Sequence, residues 1–491
     1  MAQIMDLMGM SPEDETLKCA SLFSGSGGLD CGFHMQGSFK TVFALDKDKQ
    51  AIESFRINFK ANQYKFGTER SDMSDGPIYI NYDIVNTNFG SPPVSSVHPD
   101  VIIGGPPCQD FSIVRGPERA KKGLKVKRGR LYAYFVKSLL YLEPKYFVFE
   151  NVAGLKTENG GKSWDTIKED FSNLSLHSDE IKDITGNDFK HSNLGYELIF
   201  SDIVDSSFHG VAQTRKRAII IGVRRDLIAD NNSLKDKLRN LCRIKLSGQD
   251  LNLSVFPMTT LEVLEGAPLP ELREKYDKIM KEWKQQMGGS NLNKAKKWAG
   301  KLDEWYSGDA VIDYCTVNSI NAASESELVE AFEQHKEILK LLGYYGRPIE
   351  QVKFRDKSNN TANEKKTVLR RMAFIPVDEN YKFLASYKKF RVEGKGISFI
   401  YKRIHPLKPA YTVVAKGGGG TYGYHYTHAR SRLTNRERAR LQSFPDWFEF
   451  SGTYQQQRSQ IGDAVPPLLG KAIAETIYEI NAIIFTTGGN K

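Results

Sequence analysis

The feature that most constrains the fold is a series of short apolar segments in the first half of the chain. Each is rich in β-branched or aromatic residues and is separated from the next by enough residues for a crossover helix; the segments are Cys19–Phe23, Thr41–Leu45, Val101–Ile103, Tyr146–Phe149 and Ala218–Val223. Strands joined by such crossovers pair in parallel, with helices over both faces of the sheet. Strands buried on both faces are continuously apolar rather than alternating. The pattern therefore predicts an α/β fold with a mostly parallel sheet.

The charge and the cysteines narrow the class of protein. The 491-residue chain has a formal net charge of +10, which favours a polyanionic partner. Its cysteines form no C-x-x-C pair; they are Cys19, Cys31, Cys108, Cys242 and Cys315. This spacing argues against a disulfide framework and a zinc site, and it fits a reducing compartment. Residues 1–16 include acids and no long apolar run, so neither a signal peptide nor a membrane span is expected.

A cluster of glycines directly after the first apolar segment indicates a turn that brings backbone amides close to a ligand. The cluster runs from Phe23 through Gly25, Gly27 and Gly28 to Asp30. The dinucleotide fingerprint G-x-G-x-x-G requires a third glycine where this chain has Asp30, which disfavours a nicotinamide-dependent oxidoreductase. No Lys-Ser or Lys-Thr pair follows the glycines, which argues against a phosphate-binding P-loop.

Two acidic residues extend this pattern. Asp46 closes the second apolar segment, about 20 residues after the glycines, where an acid can accept hydrogen bonds from ribose hydroxyls. Asp83 is a candidate acceptor for an adenine amino group, although surface acids are common in any protein. Together the glycines and the two acids suit a nucleoside ligand better than a phosphate ligand.

One cysteine stands in a rigid loop after the third apolar segment. The sequence there is Gly104-Gly105-Pro106-Pro107-Cys108-Gln109, in which two glycines and two prolines end the strand. A thiol at the carboxyl end of a parallel strand lies where open α/β sheets place their chemistry. The alternative is a small buried hydrophobic residue, which is the commoner role of cysteine.

These segments resemble the DNA cytosine-5 methyltransferases, and they occur in that family's order. The matching segments cover most of residues 18–225 and 405–475; they are Phe23–Gly28, Asp46, Asp83, Pro106–Gln109, Glu150–Val152, Gln213–Arg217, Arg432–Pro445 and Gln460–Pro466. The stretch between the two covered parts corresponds to the family's variable target-recognition region.

The resemblance implies a Rossmann-like, S-adenosylmethionine-dependent methyltransferase sheet with a second, smaller target-recognition domain, and DNA in the cleft between the two. We expect a catalytic and cofactor-binding domain over residues 1–225 and a target-recognition domain over 226–430. Residues 431–491 hold the last motifs, and the final helix is expected to return to the catalytic domain. The residues implied for binding S-adenosyl-L-methionine are Phe23, Gly25, Gly27, Gly28, Asp46, Asp83, Ile84, Pro107, Asp463 and Val465.

The same resemblance implies covalent catalysis on cytosine. Cys108 would attack C6 of the base, because C5 is not nucleophilic enough to take a methyl group unaided. Glu150, on the loop after the Phe147–Phe149 segment, would interact with N3, and Asn151 would hold that loop. Arg217 would lie near O2, with Arg215 as a second candidate. The target base must leave the duplex stack, and the basic segment after Cys108 suits a loop that closes on DNA. The residues implied for DNA binding are Gln109, Ser112, Arg115, Arg128 and Arg130.

Two positions depart from the family pattern: Asp463 stands where most members carry Asn, and Ser21 stands where many carry an acid. We expect a sequence-specific enzyme that acts on double-stranded DNA as a monomer, in the cytoplasm of a prokaryote and associated with its nucleoid. A cognate restriction endonuclease acting on the same site is a candidate partner. The alternatives are an RNA (tRNA) cytosine-5 methyltransferase and a catalytically silent DNA-binding protein on the same scaffold.

Overall fold

The computed structural model describes residues 16–64, 77–107, 131–174, 181–182, 185–186, 195–228, 230–248, 252–361, 363–390, 392, 400–415, 421, 423–430 and 432–487. These residues form two compact units. The first unit contains the chain up to Asp205, then Lys216–Asp250, and the chain from Leu469 onward. The second unit contains Ser206–Arg215 and Leu251–Leu468. The division of the chain after residues 225 and 430 stays a prediction.

The first unit is built on an eight-stranded sheet with strand order β3-β4-β2-β1-β5-β6-β8-β7. Its strands are β1 (Leu17–Leu22), β2 (Phe39–Asp46), β3 (Asn62–Gln63), β4 (Ile78–Asn81), β5 (Val101–Gly104), β6 (Tyr146–Val152), β7 (Tyr196–Asp205) and β8 (Lys216–Arg224). In this sheet order, each strand from β3 through β4, β2, β1 and β5 to β6 is parallel to the next. β8 is antiparallel to both of its neighbours, β6 and β7. The predicted α/β fold with a mostly parallel sheet is confirmed, and each of the five apolar segments forms a strand.

Sequence patterning missed three of the described strands, β3, β4 and β7, and β4 has only four residues. β7 lies at an edge of the sheet, and only half of its residues are fully buried. Its sequence therefore has polar residues between its apolar stretches, at Glu197, Ser201 and Asp202, instead of one continuous apolar run. β3 has two residues, both exposed, and such a short element leaves no periodic signal in the sequence.

Helices flank the sheet, and an aromatic cluster joins one of them to the central strands. The helices of this unit before residue 250 include α1 (Gly28–Gln36), α2 (Lys49–Phe59), α3 (Leu131–Leu142), α4 (Lys162–Ser172), α5 (Arg225–Ile228) and α6 (Asn232–Leu246). Phe135 of α3 packs edge-on against Phe147 and Phe149 of β6, with ring centroids 6.1 and 5.6 Å apart. Such aromatic pairs contribute about 0.5–1.5 kcal/mol each beyond their buried area. They hold the carboxyl end of β6 in place.

The second unit is mainly helical in the part that the structure describes. Its helices are α7 (Asn252–Val255), α8 (Thr260–Glu265), α9 (Arg273–Gly288), α10 (Asn293–Leu302), α11 (Ala310–Val317), α12 (Glu325–Leu341), α13 (Lys366–Met372), α14 (Asn435–Leu441) and α15 (Tyr454–Asp463). Residues 289–292 separate α9 from α10. Thr434 caps α14: Glu437 N donates to Thr434 Oγ1, and Thr434 N donates to Glu437 Oε2.

The last helix, α16, spans Pro467–Thr487. From Leu469 onward it belongs to the first unit, where the Tyr146 hydroxyl donates to Asn481 Oδ1 across 3.0 Å. Within the described ranges, no helix combines the length and the apolar sequence that crossing a bilayer requires.

Candidate active site

The glycine turn after β1 is held in place by the end of β2. Ser24 N donates to the Leu45 carbonyl (3.2 Å), and Gly25 N donates to Asp46 Oδ2 (2.8 Å). Gly25 has a φ of 55° and Gly27 a φ of 90°, in the left-handed region where a Cβ atom is disfavoured. Phe23 also has a positive φ, 54°. A non-glycine residue in that region stores strain, which is typical of functional turns.

Asp46 and Asp83 lie at the same edge of the sheet, because β2 and β4 are parallel neighbours and Asp46 pairs with Asn81. Burial raises the pKa of Asp46, and hydrogen bonds from Asp48 N and Gly25 N oppose that rise. Asp83 caps the short turn Ile84–Asn86 by accepting from Val85 N. Its side chain is 40% exposed, so its second oxygen faces solvent 3.8 Å from Lys47 Nζ.

Sequence reasoning missed a buried acid beneath the same turn. Asp30, in the first turn of α1, is fully buried and accepts from Ser21 Oγ of β1 (2.8 Å). Thr41 Oγ1 of β2 lies 3.5 Å from its other oxygen. Burial raises the pKa of Asp30 to about 7. In the sequence, Asp30 was noticed only because it replaces the third glycine of the dinucleotide fingerprint. Its partner Ser21 stands where many family members carry an acid, and this replacement was the signal that could have pointed to an acid on α1.

The structure brings Glu150 and Arg217 together at the far side of β5. Arg217 Nε lies 2.8 Å from Glu150 Oε1, and both side chains are about nine-tenths buried. Glu150 is near the carboxyl end of β6, where that strand pairs with the start of β8. The other carboxylate oxygen lies against Gly105, since a Cβ atom there would come within 2.5 Å of Glu150 Oε2. The glycine therefore makes room for the carboxylate beside the Pro106-Pro107 loop.

Asn151 ties that loop to β6. Its Nδ2 donates to the Pro106 carbonyl across 2.9 Å, and its Oδ1 accepts from Val152 N. The expected role of Asn151, holding the loop that carries Glu150, stays a prediction. Pro107 is exposed and is the last described residue before the cysteine.

Several predicted site residues lie outside the described residues. They are the nucleophile candidate Cys108 and the DNA-binding candidates Gln109, Ser112, Arg115, Arg128 and Arg130. Their roles stay predictions. The chain enters this segment from the Gly105–Pro107 loop, and Gly105 of that loop lies against the Glu150 carboxylate that pairs with Arg217.

The remaining candidates belong to the second unit. Arg215 is buried, and its guanidinium donates to the carbonyls of Val413 (3.1 Å), Gly462 (2.8 Å) and Ala464 (2.9 Å). Asp463 is exposed and accepts from Ser459 Oγ (3.1 Å), whereas Val465 is buried. Arg215 therefore fastens the turn that contains Asp463.

The first unit thus carries two groups of functional side chains on the carboxyl edge of one sheet. The end at β1, β2 and β4 offers backbone amides and two carboxylates, which suit a nucleoside with hydroxyl and amino groups. The end at β5, β6 and β8 offers a carboxylate paired with a guanidinium, which suits a polar heterocycle. In open α/β sheets, ligands bind at this edge.

Comparison with known proteins agrees with this arrangement. A family model described as C-5 cytosine-specific DNA methylase matches residues 17–479. The chain is 46% identical over 462 residues to the DNA (cytosine-5-)-methyltransferase M.ApeKI of Aeropyrum pernix, covering 94% of this chain and 98% of that protein. It is 30% identical over 463 residues to the type II methyltransferase M.NgoFVII of Neisseria gonorrhoeae, covering 94% and 87%. A crystal structure from E. coli, described as a prophage-encoded DNA modification methyltransferase, matches with a TM-score of 0.54 and 20% identity over 95% and 99% of the two chains, a likeness of fold.

Proposed function

Because the chain belongs to the C-5 cytosine-specific DNA methylase family and is a DNA cytosine-5 methyltransferase, we propose that Cys108, Glu150 and Arg217 carry out its chemical step. The observation that carries the proposal is the Glu150–Arg217 ion pair, packed against Gly105 in the loop that leads to Cys108. The match to DNA methylases over nearly the whole chain favours DNA over the RNA alternative, and the intact Cys108, Glu150 and Arg217 argue against a silent scaffold.

In the proposed reaction, the Cys108 thiolate forms a bond from sulfur to C6 of a cytosine flipped out of the duplex. The C5–C6 double-bond electrons then form a bond from C5 to the methyl group, whose bond to a sulfonium donor would break and leave a neutral thioether. Transfer of the C5 proton to water and elimination of the Cys108 thiolate from C6 restore the C5–C6 double bond. A thiol is only a few per cent ionised at neutral pH. Covalent catalysis by Cys108 therefore requires cationic groups near the sulfur that favour its thiolate form.

Glu150 and Arg217 stabilise the base during this addition. We assign Glu150 to the N3 edge of the ring, with Oε2 beside Gly105 facing the base while Oε1 is held by Arg217. We assign Oε2 to carry the proton that reaches N3 as charge develops on the ring. Arg217 keeps Glu150 in one rotamer and presents its other donors toward O2.

Arg215 is assigned a positioning role in this scheme. Its guanidinium donors bond the carbonyls of Val413, Gly462 and Ala464 within the second unit. It therefore acts through the turn containing Asp463 and Val465 rather than on the base.

The methyl donor is assigned as S-adenosyl-L-methionine, and the residues at the β1–β2–β4 edge fit it. Asp46 would accept from the ribose hydroxyls, Asp83 from the adenine amino group, and Ile84 would contact the adenine ring. Phe23, Gly25, Gly27 and Gly28 would form the turn around it, with Pro107, Asp463 and Val465 as further contacts. When bound, the cofactor supplies an electrophilic methyl group.

Further parts of the function follow from the relatives' names. Type II methyltransferases are named for restriction–modification, so we assign a cognate restriction endonuclease that cuts the same unmethylated site. We assign Gln109, Ser112, Arg115, Arg128 and Arg130 to the target DNA. The enzyme is expected to act as a monomer on chromosomal DNA in a prokaryotic cytoplasm, associated with the nucleoid.

A trapping experiment tests the chemical proposal. Duplex DNA containing 5-fluorocytosine at the recognised site blocks loss of the substituent at C5, so the covalent intermediate accumulates. Bisulfite sequencing of DNA from cells that express the protein first gives the site. With methyl donor present, mass spectrometry is expected to find the adduct on Cys108. Methylation of the site without any such adduct would overturn the nucleophile assignment, and tritiated methyl appearing in tRNA instead of DNA would overturn the substrate.

A further inference from the structure

The second unit contains a histidine with no exposed side-chain surface. His335 of α12 has Nδ1 2.9 Å from Glu262 Oε1 of α8 and Nε2 3.0 Å from the Phe256 carbonyl oxygen. Both ring nitrogens therefore face oxygen atoms that accept hydrogen bonds. A neutral imidazole has a proton on only one of its two nitrogens, whereas an imidazolium donates from both. The geometry thus fits the positively charged form of His335.

Glu262 is the charged partner of this histidine, and its other contacts fit a carboxylate. Its Oε2 accepts from Thr259 N (3.0 Å) and Thr259 Oγ1 (2.9 Å), and its Oε1 also accepts from Leu269 N (3.1 Å). Hydrogen bonds donated by backbone amides favour the ionised form of a carboxyl group. The Glu262 side chain is as completely buried as that of His335. The two residues therefore form a buried ion pair that joins α12 to the start of α8.

Two other buried histidines of the second unit show the opposite arrangement. Nδ1 of His405 accepts from Leu407 N (3.1 Å), and Nδ1 of His425 accepts from Thr427 N (3.2 Å). A ring nitrogen that accepts a backbone N–H has no proton of its own, so both rings are neutral. Burial lowers the pKa of His405 to about 3 and lowers the pKa of His425 well below its usual value. Burial without a carboxylate on the ring therefore keeps these histidines uncharged.

The Glu262 carboxylate accounts for the difference at His335. Burial acts to lower the pKa of His335, but attraction to Glu262 and the hydrogen bonds to Glu262 and to the Phe256 carbonyl outweigh burial, so the pKa lies above its usual value. A histidine whose pKa is raised in the folded state stabilises the fold while it is protonated. This contribution is full below about pH 6.5 and is lost as the pH rises through the pKa of folded His335.

The other described titratable groups close to His335 are already engaged. From α11, the Tyr314 hydroxyl donates to the Pro257 carbonyl (3.0 Å), and burial raises the pKa of this tyrosine, so it stays neutral while His335 titrates. Next to His335 in α12, Lys336 pairs with Glu271 (3.0 Å). Among the described residues, the charge of His335 is therefore balanced by Glu262.

We propose that the proton on His335 acts as a latch that holds α12 against the α7–α8 connection. We call His335, Glu262 and the Phe256 carbonyl the histidine latch; all three belong to the second unit. When the proton leaves, one ring nitrogen faces an acceptor with no hydrogen atom between them, and Glu262 keeps a buried negative charge without a counter-charge. An uncompensated buried charge is strongly destabilising. As the pH rises, α12 therefore separates locally from α8.

The first test is the titration of His335 in the full-length wild type. Spectra of the chain labelled with nitrogen-15 in its histidine rings show whether each ring nitrogen carries a proton, and His335→Gln identifies the signals of His335. We expect both nitrogens of His335 to be protonated below about pH 6.5 and its midpoint to lie above that value. His405 and His425 are expected to be neutral at the same pH. A His335 midpoint below about 6.5 would overturn the proposal.

The second test measures amide hydrogen exchange of α12 between pH 6 and pH 9, corrected for the intrinsic exchange rate. It compares the wild type with Glu262→Gln, which removes the carboxylate of the latch, and with the control Glu282→Gln. Glu282 lies 3.9 Å from His428, and both of these side chains are partly exposed. We expect the opening equilibrium of α12 in the wild type and the control to rise at least about tenfold with pH. In Glu262→Gln it should already be high at pH 6 and change much less.

Protection of α12 that does not change with pH in the wild type would contradict the latch, and so would equal profiles for Glu262→Gln and Glu282→Gln. Asp30 titrates in the first unit and is present in all three proteins, so it cannot produce a difference between them. If Glu262→Gln does not fold, the wild-type exchange profile and the ring titration still decide. Methyl transfer to DNA is measured in parallel; its absence would count against the proposed function and not against the latch, whose readouts lie in α12.

Discussion

Glu150 and Arg217 form a nearly buried ion pair between neighbouring strands, with 2.8 Å between Glu150 Oε1 and Arg217 Nε. The two residues are 67 positions apart in the chain, and the antiparallel pairing of β6 with β8 brings them together. Because this pair borders the loop that leads to Cys108, it makes the clearest predictions about catalysis.

Replacing Glu150 with Gln keeps the size of the side chain but removes the ionisable group. General acid–base groups contribute roughly 10²–10⁴-fold to rate, so we expect Glu150→Gln to lower kcat within that range. Affinity for S-adenosyl-L-methionine should stay within about twofold, because Glu150 lies away from the β1–β2–β4 edge. Single-turnover methylation and equilibrium cofactor binding measure the two effects. A large loss of cofactor affinity with little loss of rate would show that Glu150 is a scaffold residue.

Gly105→Ala tests whether the loop and the carboxylate must be in close contact. The added methyl would lie 2.5 Å from Glu150 Oε2 and displace that carboxylate. We expect kcat to fall at least tenfold, while the protein stays folded. Gly154→Ala is the matched control, because a Cβ atom there meets no atom within 4 Å. Unchanged kcat in Gly105→Ala, measured by methyl transfer to DNA, would contradict the assigned position of Glu150.

Asp30 makes the stability of the first unit dependent on pH. Burial raises its pKa from about 3.8 to about 7, so the folded state holds a proton that the unfolded state releases. The contribution of protonated Asp30 to the free energy of unfolding is full below about pH 4. It decreases as the pH rises and is lost once the pH passes about 7, a total of about 4 kcal/mol. Asp30→Asn is uncharged at every pH and should lack this loss.

The measurement is the melting temperature between pH 5 and 8. We expect the wild type to lose stability relative to Asp30→Asn across this range. Asp165→Asn, at a side chain that is 72% exposed, is the control and should follow the wild type. Parallel pH profiles of the wild type and Asp30→Asn would show that Asp30 is ionised in the folded protein.

Arg440 and Asp446 form a buried fork in the second unit, with hydrogen bonds of 3.0 and 2.7 Å. Arg440 also donates to the carbonyls of Val263 and Arg347, each at 3.0 Å. Removing one partner of a buried pair leaves an uncompensated charge and costs about 3–5 kcal/mol. We expect Arg440→Met to lower the free energy of unfolding by that amount, as measured by urea denaturation.

The neighbouring Arg347 provides the comparison for this prediction. Its Nε lies 3.8 Å from Asp446 Oδ2, but its side chain is 51% exposed. Exposed ion pairs contribute about 0–1 kcal/mol, so Arg347→Gln should cost less than about 1 kcal/mol. Equal losses from the two variants would contradict the assignment of the stabilising role to the buried fork.

Local sequence was enough to predict the elements on which the site is built. Continuous apolar runs identify β1, β2, β5, β6 and β8, since strands buried on both faces have no polar side to reveal alternation. Other features of the site depend on contacts between residues close in sequence. They are the glycines with positive φ, the acid that closes β2 and the capping residues of α14. Their chemistry could therefore be inferred before any tertiary contact was known.

Only the tertiary structure decided which distant side chains meet. Sequence order made Arg217 the first candidate and Arg215, two positions earlier, the second, yet β8 begins between them. Arg217 pairs with Glu150, whereas Arg215 is fastened to carbonyls around Gly462. The buried contact between Ser21 and Asp30 was equally invisible, because a carboxyl group's pKa depends on how much water packing removes around it. Strand formation depends on local patterning, but charge pairing and desolvation depend on neighbours that only the folded chain supplies.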